Sequence, residues 1–401
     1  MAVPNRPLQA VHGLDAARLT ALLAAATSGD GPALLPIAAG TPPPRVRALL
    51  AALRPATLRT AEGVTRLDGA AGVAEDTALV IATSGSTGAP KGVELSAAAL
   101  RHSTLASTRR IGAGRGDAWL CVLPTDHIAG LQVVLRALSL GTEPLHRPFD
   151  VAEVMAVAAG HRPHVSLVPT QLRRLLAGGA DLSHFRSILV GGAAADERLL
   201  ARARAAGGRV ITTYGMSETC GGCVYDGVPL DGVAARIAGD GRVLLSGPVL
   251  FTGYRLRPEL TAEHLVREAD RAWFRTGDLG RLADGRLTVR GRADDVINTG
   301  GHKVVAGEVA ALLARLETVA EAAVVGRPDP EWGERVTAVV VPADPAAPPT
   351  LAELRSWVAA HLPRYAAPHE LELRAALPLL ASGKPDLRAL RRAGAPEPPN
   401  A

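Results

Sequence analysis

Residues 81–95, with the sequence IATSGSTGAPKGVEL, bring hydroxyl groups, glycines and one lysine together in a short stretch. Glycines let the backbone approach an anion closely, and main-chain N–H groups and hydroxyls can then bind phosphate oxygens. The residues concerned are Thr83, Ser84, Gly85, Ser86, Thr87, Gly88 and Lys91. The stretch therefore predicts a phosphate-binding loop. However, Gly92 stands where the common G-x-x-x-x-G-K-[ST] loop has its magnesium-binding hydroxyl.

Glu218 lies in TYGMSET (213–219), directly after a predicted strand. A carboxylate at a strand end is a hard oxygen ligand of the kind that magnesium requires when it bridges phosphates. Taken alone, Glu218 would be better explained as a capping residue. Considered together with a phosphate loop that lacks its own metal ligand, Glu218 is predicted to bind the metal.

Three further stretches carry charged groups at predicted turns, namely WFRTGDLG (273–280), RGRADD (290–295) and SGKPDL (382–387). A carboxylate such as Asp278 can accept hydrogen bonds from both hydroxyls of a ribose, although a turn aspartate often bonds its own backbone. Arg292 is a candidate sugar or phosphate contact, Asp294 lies at a predicted domain boundary, and Lys384 precedes the last predicted helix.

Lysine is rare in this chain. Of 44 basic residues only Lys91, Lys303 and Lys384 are lysines, which leaves 41 arginines. A compact ammonium on a flexible stem can follow a moving phosphate or carboxylate, whereas the planar guanidinium is stiffer. Because all three lysines lie beside glycines in loop-like contexts, we interpret them as functional rather than as chance surface residues.

Cys220 and Cys223 form a C-G-G-C pattern that also occurs in zinc and redox sites. Zinc usually requires four ligands, and the sequence has no second cysteine pair. The redox motif is expected near a thioredoxin-like βαβ pattern, whereas this pattern is predicted in a glycine-rich loop. Small residues that line a substrate pocket or channel are therefore the preferred explanation.

His127 follows another predicted strand, in PTDHIAG (124–130). A lone histidine is often structural. The position of His127 at a strand end near the phosphate loop makes a role in a substrate pocket an equally good explanation.

The candidate residues follow an alternation of apolar runs and helical patterns. Predicted strands cover 77–83, 118–124, 165–169, 187–193 and 209–215, and predicted helices cover 129–139, 170–177 and 196–206. This alternation is typical of α/β proteins with a mostly parallel sheet flanked by helices. Because such sheets bind ligands at the carboxyl ends of their strands, we expect the motifs that follow strands to converge on one crevice.

The flanking regions differ from this pattern. Residues 1–75 are predicted to form alanine-rich helices, and Ser96 is predicted to cap the helix after the phosphate loop. After 291–295 a small α+β unit is predicted, with helices near 307–317 and 351–361 and strands near 319–326 and 335–342. The predicted domains are therefore 1–292 and 293–393, followed by a disordered tail at 394–401.

Composition narrows the class of protein. The 401 residues are 47% hydrophobic and 21% charged, which suits a large core and more than one domain. No apolar run reaches a membrane-spanning length, so no membrane insertion is expected. Three cysteines are too few for a disulfide framework, which predicts a cytoplasmic protein. The net charge of +5 is scattered and only 3% of residues are aromatic, so nucleic acid is not an expected partner.

Taken in order, these stretches resemble the adenylate-forming superfamily of acyl-CoA synthetases, adenylation domains and luciferases. The matching segments are TSGSTGAPKG, LPTDHIAG, VPTQL, GGAA, YGMSET, RTGD, GRADDVINTGGHKV and SGKPDL, which extend over residues 77–390. The resemblance implies a large N-terminal domain with a small, mobile C-terminal domain hinged to it. It also implies ATP, Mg²⁺ and CoA, the last as co-substrate.

The resemblance implies a role for each matching position. The 83–92 loop would bind the β- and γ-phosphates of ATP, and Glu218 would bind magnesium. The other ATP-binding positions would be Gly191, Gly192, Ala193, Tyr214, Gly215 and Ser217, with Asp278 and Arg292 at the ribose. Asp294 would be the hinge, and Lys384 would bridge the substrate carboxylate and the α-phosphate. Gly300, Gly301, His302 and Lys303 would face the active site during thioester formation.

Within the superfamily the chain most resembles the short o-succinylbenzoate–CoA ligases of menaquinone biosynthesis. The phosphate loop begins early, near residue 83, and LVPTQLRRLL and GHKVVAGEV fit this subgroup. Its acid has a second carboxylate that requires a cation or several hydrogen-bond donors, for which His127, Gln171 and Arg173 are candidates. Asn298 departs from the superfamily pattern, which often has lysine there.

The implied activity is ATP-dependent conversion of a carboxylic acid to an acyl-adenylate, followed by transfer to CoA. Lys384, Lys91 and His127 are the candidate catalytic residues. Another aryl- or acyl-CoA ligase and an adenylation enzyme that loads a carrier protein remain alternatives. A nucleotide-binding protein that has lost catalysis is an alternative of another class, and formation of a homodimer is left open.

Overall fold

The computed structural model describes residues 6–84, 90–268, 270–380 and 384–392. Gly85, Ser86, Thr87 and Gly88 of the predicted phosphate loop lie outside these ranges, as does the predicted tail. The chain divides into two compact units. The first comprises Met1–Gly192, Arg202–Ala235 and Leu244–Arg275, and the second comprises Ala193–Ala201, Arg236–Val243 and Thr276–Ala401. The domain boundary at residue 292 stays a prediction.

Helices and strands alternate along the described residues. The α-helices are α1 Ala16–Ser28, α2 Pro43–Leu53, α3 Ala97–Ile111, α4 Ile128–Ser139, α5 Val151–His161, α6 Pro169–Ala177, α7 Glu197–Ala205, α8 Pro258–His264, α9 Ala306–Leu313, α10 Leu351–His361 and α11 Leu387–Arg392. No helix within these ranges is long and apolar enough to cross a membrane.

The strands are β1 Leu8–His12, β2 Ala33–Ile37, β3 Thr57–Thr60, β4 Gly63–Arg66, β5 Thr77–Ser84, β6 Pro90–Ser96, β7 Trp119–Cys121, β8 Leu145–His146, β9 His164–Leu167, β10 Ser187–Val190, β11 Val210–Met216, β12 Gly221–Tyr225, β13 Val228–Pro229, β14 Ala234–Ile237, β15 Arg242–Ser246, β16 Gly253–Tyr254, β17 Leu265–Glu268, β18 Arg271–Ala283, β19 Arg286–Arg292, β20 Val296–Thr299, β21 His302–Val305, β22 Val319–Asp329, β23 Gly333–Pro342 and β24 Glu370–Leu373. Short 3₁₀ turns cover Leu182–His184, Ser217–Thr219, Ala293–Asp295 and Arg364–Ala366.

Two sheets organise the described part of the first unit. One has the strand order β16-β6-β5-β2-β1-β3-β4 and the other β13-β12-β11-β10-β9-β7-β8. The middle strands are parallel in both, whereas β6, β12 and their outer neighbours pair in the antiparallel sense. The predicted α/β class with mostly parallel sheets flanked by helices is confirmed.

The expectation that one parallel sheet carries all the motifs was wrong. The phosphate loop follows β5 in the first of these sheets, whereas the segments after β7, β10 and β11 belong to the second. Because β7, β10 and β11 run parallel, the segments that follow them leave the same edge of that sheet. Sequence alternation shows that strands are parallel but does not show which sheet they join.

The prediction that residues 1–75 are helical was also wrong in part. Helices α1 and α2 are present, but strand β1 precedes α1 and strand β2 lies between the two helices. Most residues of both strands are buried. Their sequences, LQAVH and ALLPI, are short continuous apolar runs. Such runs cannot be distinguished from buried pieces of helix by periodicity, because a fully buried strand has no polar face.

One hydrophobic cluster in the first unit joins its helices to both sheets. Leu23 of α1, Leu100 of α3 and Leu131 of α4 are buried in the same cluster as Ile81 of β5 and Leu189 of β10. The N-cap Ser96 accepts a hydrogen bond from the Ala99 N–H, as predicted, and so fixes the start of α3. Strands β5 and β10 are therefore held by one shared core.

The second unit has its own sheet and core. Strands β21, β20, β23 and β22 lie in this order, and β24 pairs with β23. Helices α9 and α10 bury Val309, Leu313 and Leu354 against Val324 and Val336 of this sheet. The predicted small α+β arrangement is confirmed, although α9 ends earlier than predicted, at Leu313.

A buried histidine in the first unit lies between two polar partners. His164 of β9 is 2% exposed, and its Nδ1 and Nε2 lie 2.7 Å from Ser187 Oγ and 3.3 Å from Asp117 Oδ2. Its ring stacks on Trp119, with 4.8 Å between centroids. Burial lowers the pKa of His164, and although the Asp117 carboxylate acts in the opposite direction, the net shift is downward.

The protein should therefore lose stability when the pH falls below about 6.5, the ordinary pKa of histidine. Unfolded chains then bind a proton at position 164 that folded chains do not, so the free energy of unfolding falls by up to about 1.4 kcal/mol per pH unit. The His164→Gln variant should show a smaller fall in denaturation midpoint between about pH 7 and pH 5.5. The exposed His161→Gln variant serves as the control. Equal pH dependence in wild type and His164→Gln would contradict the assignment.

Candidate active site

Glu218 lies in a tightly held turn at the end of β11. The 3₁₀ turn Ser217–Thr219 follows the strand, and Thr219 Oγ1 accepts a hydrogen bond from the Met216 N–H at 3.0 Å. The Glu218 carbonyl accepts from the Phe251 N–H at 2.9 Å. Its carboxylate Oε1 accepts from the Tyr254 hydroxyl at 2.8 Å. Backbone and side chain of Glu218 are thus both fixed by hydrogen bonds.

The residue after this turn has an uncommon backbone conformation. Cys220 has a φ of 53°, in the left-handed region that non-glycine residues rarely adopt. Its carbonyl accepts hydrogen bonds from Gln132 Nε2 at 2.7 Å and Ser103 Oγ at 3.1 Å, both buried side chains. A Cβ on Gly215 would lie 2.0 Å from the Gly221 carbonyl oxygen, so only glycine fits there. These contacts fix the direction in which the chain leaves Glu218.

Lys91 lies in β6, directly after the part of the phosphate loop that is outside the described residues. Strands β5 and β6 are antiparallel, with Thr83 opposite Lys91 and Ser84, the last residue of β5, opposite Pro90. The Lys91 Nζ lies 5.1 Å from the centroid of the Tyr254 ring, within the range of a cation–π interaction. Lys91, the candidate phosphate-binding lysine, and Glu218, the candidate metal ligand, therefore both contact Tyr254.

The residue that follows β16, Arg255, forms a buried ion pair with Glu94. Arg255 is 2% exposed, and its Nη1 lies 3.1 Å from Glu94 Oε1. The guanidinium also donates to the carbonyls of Leu53, Arg54, Ala71 and Gly72. Burial raises the pKa of Glu94, although Arg255 opposes the shift. This network fixes β16 against β6 and α2.

The predicted adenine-site glycines follow β10 in the first unit. The Gly191 N–H donates to the Leu167 carbonyl at 3.1 Å, and a Cβ at this position would lie 2.2 Å from Thr213 Oγ1. Gly192 has a φ of 80°. Tyr214 and Gly215 lie in β11, and Ser217 begins the Glu218 turn. Ala193, predicted beside Gly192, belongs to the second unit.

The candidate acyl contacts lie after β7 and β9 in the second sheet. His127 is exposed at the N-cap position of α4, without a side-chain capping bond. Arg173 is half-buried on α6. The amide of Gln171 accepts from the Val168 N–H at 3.1 Å and donates to the Val122 carbonyl at 3.5 Å. These two hydrogen bonds give Gln171 a structural role that does not require a bound ligand.

The C-G-G-C segment was wrongly predicted to be a loop. Cys220 follows the 3₁₀ turn, the other three residues begin the strand β12, and Cys220 and Cys223 are both fully buried. Burial raises the pKa of Cys220 and raises that of Cys223 to about 12, so both thiols are protonated at neutral pH. The described ranges contain no cluster of three or more residues suited to a metal ion. A zinc or reactive-thiol site has no support at this position.

Replacement of both Cys220 and Cys223 by alanine should leave the activity that the sequence resemblance implies, release of pyrophosphate from ATP, within about twofold of wild type, since neither protonated thiol is expected to take part in chemistry. The denaturation midpoint should fall, because two buried side chains lose volume. Metal analysis by mass spectrometry and a pyrophosphate assay would test this. Loss of a stoichiometric metal in the variant would contradict it.

In the second unit, Asp278 and Arg292 face each other across β18 and β19. Asp278 was predicted at a turn but lies within the strand, opposite Arg292. Arg292 Nη1 lies 3.5 Å from Asp278 Oδ1, and Nη2 lies 3.2 Å from Asp294 Oδ2. Asp278 is 8% exposed, whereas Arg292 and Asp294 have largely exposed side chains. One guanidinium therefore contacts both the predicted ribose ligand and the predicted hinge.

Lys384 lies shortly before α11, next to an antiparallel bridge between Leu379 and Pro385. Its carbonyl accepts from the Leu380 N–H at 2.8 Å. The helix that follows is held by Arg391, which lies 2.7 Å from Asp295, and by Arg327, which donates to the Leu390 carbonyl. Although Lys384 is exposed, desolvation by surrounding protein atoms lowers its pKa, with Asp278 acting in the opposite direction.

The segment 296–305 forms the hairpin β20–β21. Thr299 pairs with His302, and the two residues between them, Gly300 and Gly301, have φ values of 53° and 79°. Two consecutive positive φ values are the requirement of the tight turn that matches the twist of a hairpin, which accounts for both glycines. The His302 ring stacks on Tyr365 with centroids 4.2 Å apart, and Lys303 is exposed.

Comparison with known proteins agrees with this arrangement. The family model described as AMP-binding enzyme matches residues 7–254, and the model of the AMP-binding enzyme C-terminal domain matches residues 308–384. The chain belongs to the AMP-binding enzyme family. A probable 2-succinylbenzoate–CoA ligase from Mycobacterium tuberculosis H37Rv is 44% identical over 334 residues, which cover 79% of this chain and 85% of that protein.

Further members of the AMP-binding family resemble the chain along most of its length. A 2-succinylbenzoate–CoA ligase from Bacillus pumilus is 34% identical over 79% of this chain and 69% of its own. The o-succinylbenzoate CoA synthetase of Bacillus subtilis, in complex with its acyl-adenylate, has a TM-score of 0.80 at 26% identity over 96% of this chain and 88% of its own. ATP-bound MatB from Rhodopseudomonas palustris has a TM-score of 0.84 at 25% identity over 98% and 89%.

Tyr254 was missed by the sequence analysis of this AMP-binding enzyme. It lies in a two-residue strand that periodicity cannot detect. The rarity of tyrosine was a usable signal, because the chain has only four tyrosines. The rarity of lysine had already indicated functional residues in the same way. The pairing of Tyr254 with Glu218 is a contact between residues 36 positions apart, which a single sequence does not reveal.

The donor set around Glu218 fits a magnesium ion brought by a nucleotide. Magnesium usually keeps several waters and is bound by one or two carboxylates together with substrate phosphates, rather than by an all-protein cage. Glu218 is half-buried and contributes a single carboxylate, and no cluster of three acidic or histidine ligands exists in the described ranges. The residues present therefore suit a magnesium–ATP complex.

Proposed function

We propose that this AMP-binding enzyme is an AMP-forming acid–CoA ligase that activates 2-succinylbenzoate, a step of menaquinone biosynthesis. The observation that carries the proposal is the 44% identity over 85% of the M. tuberculosis protein named as a probable 2-succinylbenzoate–CoA ligase. The chain also retains Lys91, Glu218, Asp278 and Lys384, whose types and positions suit the chemistry. A scaffold that had lost catalysis would have no reason to keep all four.

In the first unit, we assign the phosphates of ATP to the loop at 83–92 and to Lys91. Main-chain N–H groups and the hydroxyls of this loop would bind the β- and γ-phosphates, and Lys91 would neutralise them. Glu218 would hold the magnesium ion, which reduces the charge repulsion between the phosphates and an incoming carboxylate. The adenine would lie against Gly191, Gly192 and the segment from Tyr214 to Ser217.

In the second unit, we assign the ribose to Asp278 and Arg292. The Asp278 carboxylate would accept hydrogen bonds from the ribose hydroxyls, and Arg292 pairs with this carboxylate. Lys384 would contact the substrate carboxylate and the α-phosphate. A carboxylate oxygen attacks the α-phosphorus, the bond to the bridging oxygen of the β-phosphate breaks, and pyrophosphate leaves. Lys384 stabilises the negative charge that develops in this transition state.

Thioester formation would follow at the same carbonyl. The sulfur of CoA attacks the acyl carbon as its thiol proton is lost, and AMP leaves. Asp294 would be the hinge about which Lys384 is exchanged for Gly300, Gly301, His302 and Lys303, a conformational change of a known kind.

His127 and Arg173, with Gln171, are the proposed contacts of the acid. The protein would act in the cytoplasm, and a homodimer is a proposal to test by light scattering.

The test is pyrophosphate release from ATP and Mg²⁺ with a panel of acids that includes 2-succinylbenzoate, with and without CoA. Release with 2-succinylbenzoate that multiplies when CoA is added supports both the reaction and the substrate. Release with a different acid keeps the reaction and discards the substrate. Release that responds to a carrier protein but not to CoA favours a carrier-loading enzyme, and no release with any acid contradicts the proposal.

A further inference from the structure

Tyr254 contacts both charged groups of the first unit that the proposed function requires. Its hydroxyl donates to Glu218 Oε1 at 2.8 Å, and its ring lies 5.1 Å from the Lys91 Nζ. Tyr254 itself is 5% exposed. A single buried side chain therefore contacts both the proposed metal ligand and the proposed phosphate-binding lysine.

Strand register explains how one residue reaches both partners. Tyr254 lies opposite Val93 across the antiparallel pair β16–β6, so its side chain is on the same face as Lys91, two residues earlier in β6. Diagonal neighbours of this kind lie within reach of an aromatic side chain. The Glu218 turn is brought to the same place by the bond from the Phe251 N–H to the Glu218 carbonyl, just before β16.

The hydroxyl of Tyr254 is not needed for packing. The ring makes edge contacts with Phe251 and His264, with centroids 4.9 Å and 5.8 Å away, and a phenylalanine ring could make both. The hydroxyl instead donates to Glu218 Oε1 at 2.8 Å. The hydroxyl therefore has a polar role towards Glu218.

Both charged side chains are engaged by Tyr254. A direct ion pair between Lys91 and Glu218 would occupy the groups that should bind phosphate and metal. The Tyr254 ring attracts the ammonium, and its hydroxyl satisfies one carboxylate oxygen.

We propose that Tyr254 is a positioning residue, which orients Glu218 for Mg²⁺ through its hydroxyl and holds Lys91 for phosphate through its ring. The inference rests on the proposed function, in which magnesium–ATP is the ligand of these groups. The two roles can be tested separately, because the hydroxyl can be removed while the ring is kept.

The test measures binding of α,β-methylene-ATP by calorimetry, once with Mg²⁺ and once with EDTA, so that no turnover is needed. Tyr254→Phe keeps the ring and removes the hydroxyl, whereas Tyr254→Leu removes both. The control is Tyr225→Phe, which also loses one buried hydroxyl, in that case the partner of Arg136 at 3.1 Å. This control matches the loss of stability without touching Glu218 or Lys91.

We expect Tyr254→Phe to reduce the gain in affinity that Mg²⁺ provides by about 10-fold, the usual effect of removing a partner of a metal ligand. Its affinity in EDTA should equal that of wild type. Tyr254→Leu should bind more weakly in both conditions, because Lys91 loses its ring and can pair with Glu218. Tyr225→Phe should match wild type in both.

Two results would overturn the inference. One is that Mg²⁺ increases the nucleotide affinity of Tyr254→Phe as much as it increases that of wild type. The other is that Tyr254→Phe loses the same amount of affinity with Mg²⁺ and with EDTA. The result does not depend on which carboxylic acid is the substrate, since binding of the nucleotide is measured without any acid. A failure of the proposed reaction would appear as absent pyrophosphate release in wild type and would leave these binding comparisons intact.

Discussion

Replacement of Lys384 by alanine is expected to lower the rate of acyl-adenylate formation by at least about 100-fold, the loss typical for a group that stabilises transition-state charge. Thioester formation from supplied acyl-adenylate and CoA should remain close to wild type. The two effects differ because two anions, a carboxylate and a phosphate, meet only in the first step. In the second step a thiol attacks a carbonyl, and no such repulsion exists.

The environment of Lys384 adds a pH dependence to this expectation. Desolvation lowers the pKa of Lys384, and Arg292 lowers it further, whereas Asp278 opposes the shift. The protonated ammonium is the active form, so adenylation should decline on the alkaline side at a lower pH than the ordinary lysine pKa of about 10.4 would give. The second half-reaction should lack this decline.

The measurement is isotope exchange between ATP and pyrophosphate for the first step, and thioester formation from synthetic acyl-adenylate for the second. Arg392→Ala is the matched control, because it removes an exposed cation from the same C-terminal segment. Lys384→Arg tests whether charge alone suffices, and a stiff planar group should recover little activity. An equal loss of both half-reactions in Lys384→Ala would contradict the exchange of active-site groups between steps.

Replacement of Asp278 by alanine is expected to raise the KM for ATP by about 10- to 100-fold, the value of one hydrogen-bonded charged group. The change in kcat should be smaller, because the ribose is remote from the reacting phosphorus and its contacts bind ground state and transition state alike. Asp278 is nearly buried, so its carboxylate is held in place before the nucleotide arrives.

The control for Asp278 lies in the same hairpin. Asp284 is exposed at the turn between β18 and β19, so Asp284→Asn alters a carboxylate without reaching the proposed ribose site. Asp278→Asn keeps an acceptor of the same shape and should show an intermediate KM. Steady-state kinetics with varied ATP would separate the variants, and an unchanged KM in Asp278→Ala would remove Asp278 from the ribose site.

Much of the fold was predictable because its central strands carry local signals. β5, β10 and β11 lie in short stretches rich in apolar residues, and the predicted bounds differ from the observed ones by at most three residues. The first 75 residues were misjudged because β1 and β2 are buried on both faces and so lack the alternation that marks a half-buried strand.

The candidate site was predictable only for residues in recognisable segments. Glu218 and Lys91 lie in such segments, and so their roles could be proposed from sequence. Their connection through Tyr254 could not be, because it depends on β16 joining the edge of a sheet whose other strands come from residues 8–96. Likewise, the bonds from Gln132 and Ser103 to the Cys220 carbonyl depend on how α3 and α4 pack against β12.

The two residues Tyr254 and Arg255 have side chains on opposite faces of the chain, one beside Glu218 and the other beside Glu94. A deletion or insertion of one codon just before Gly253 would exchange these faces. The guanidinium would then meet the proposed metal ligand, and the phenol would enter a site built from four carbonyls and a carboxylate. We therefore expect natural length variation to be excluded from this short segment, even though it lies between loops where insertions are usually tolerated.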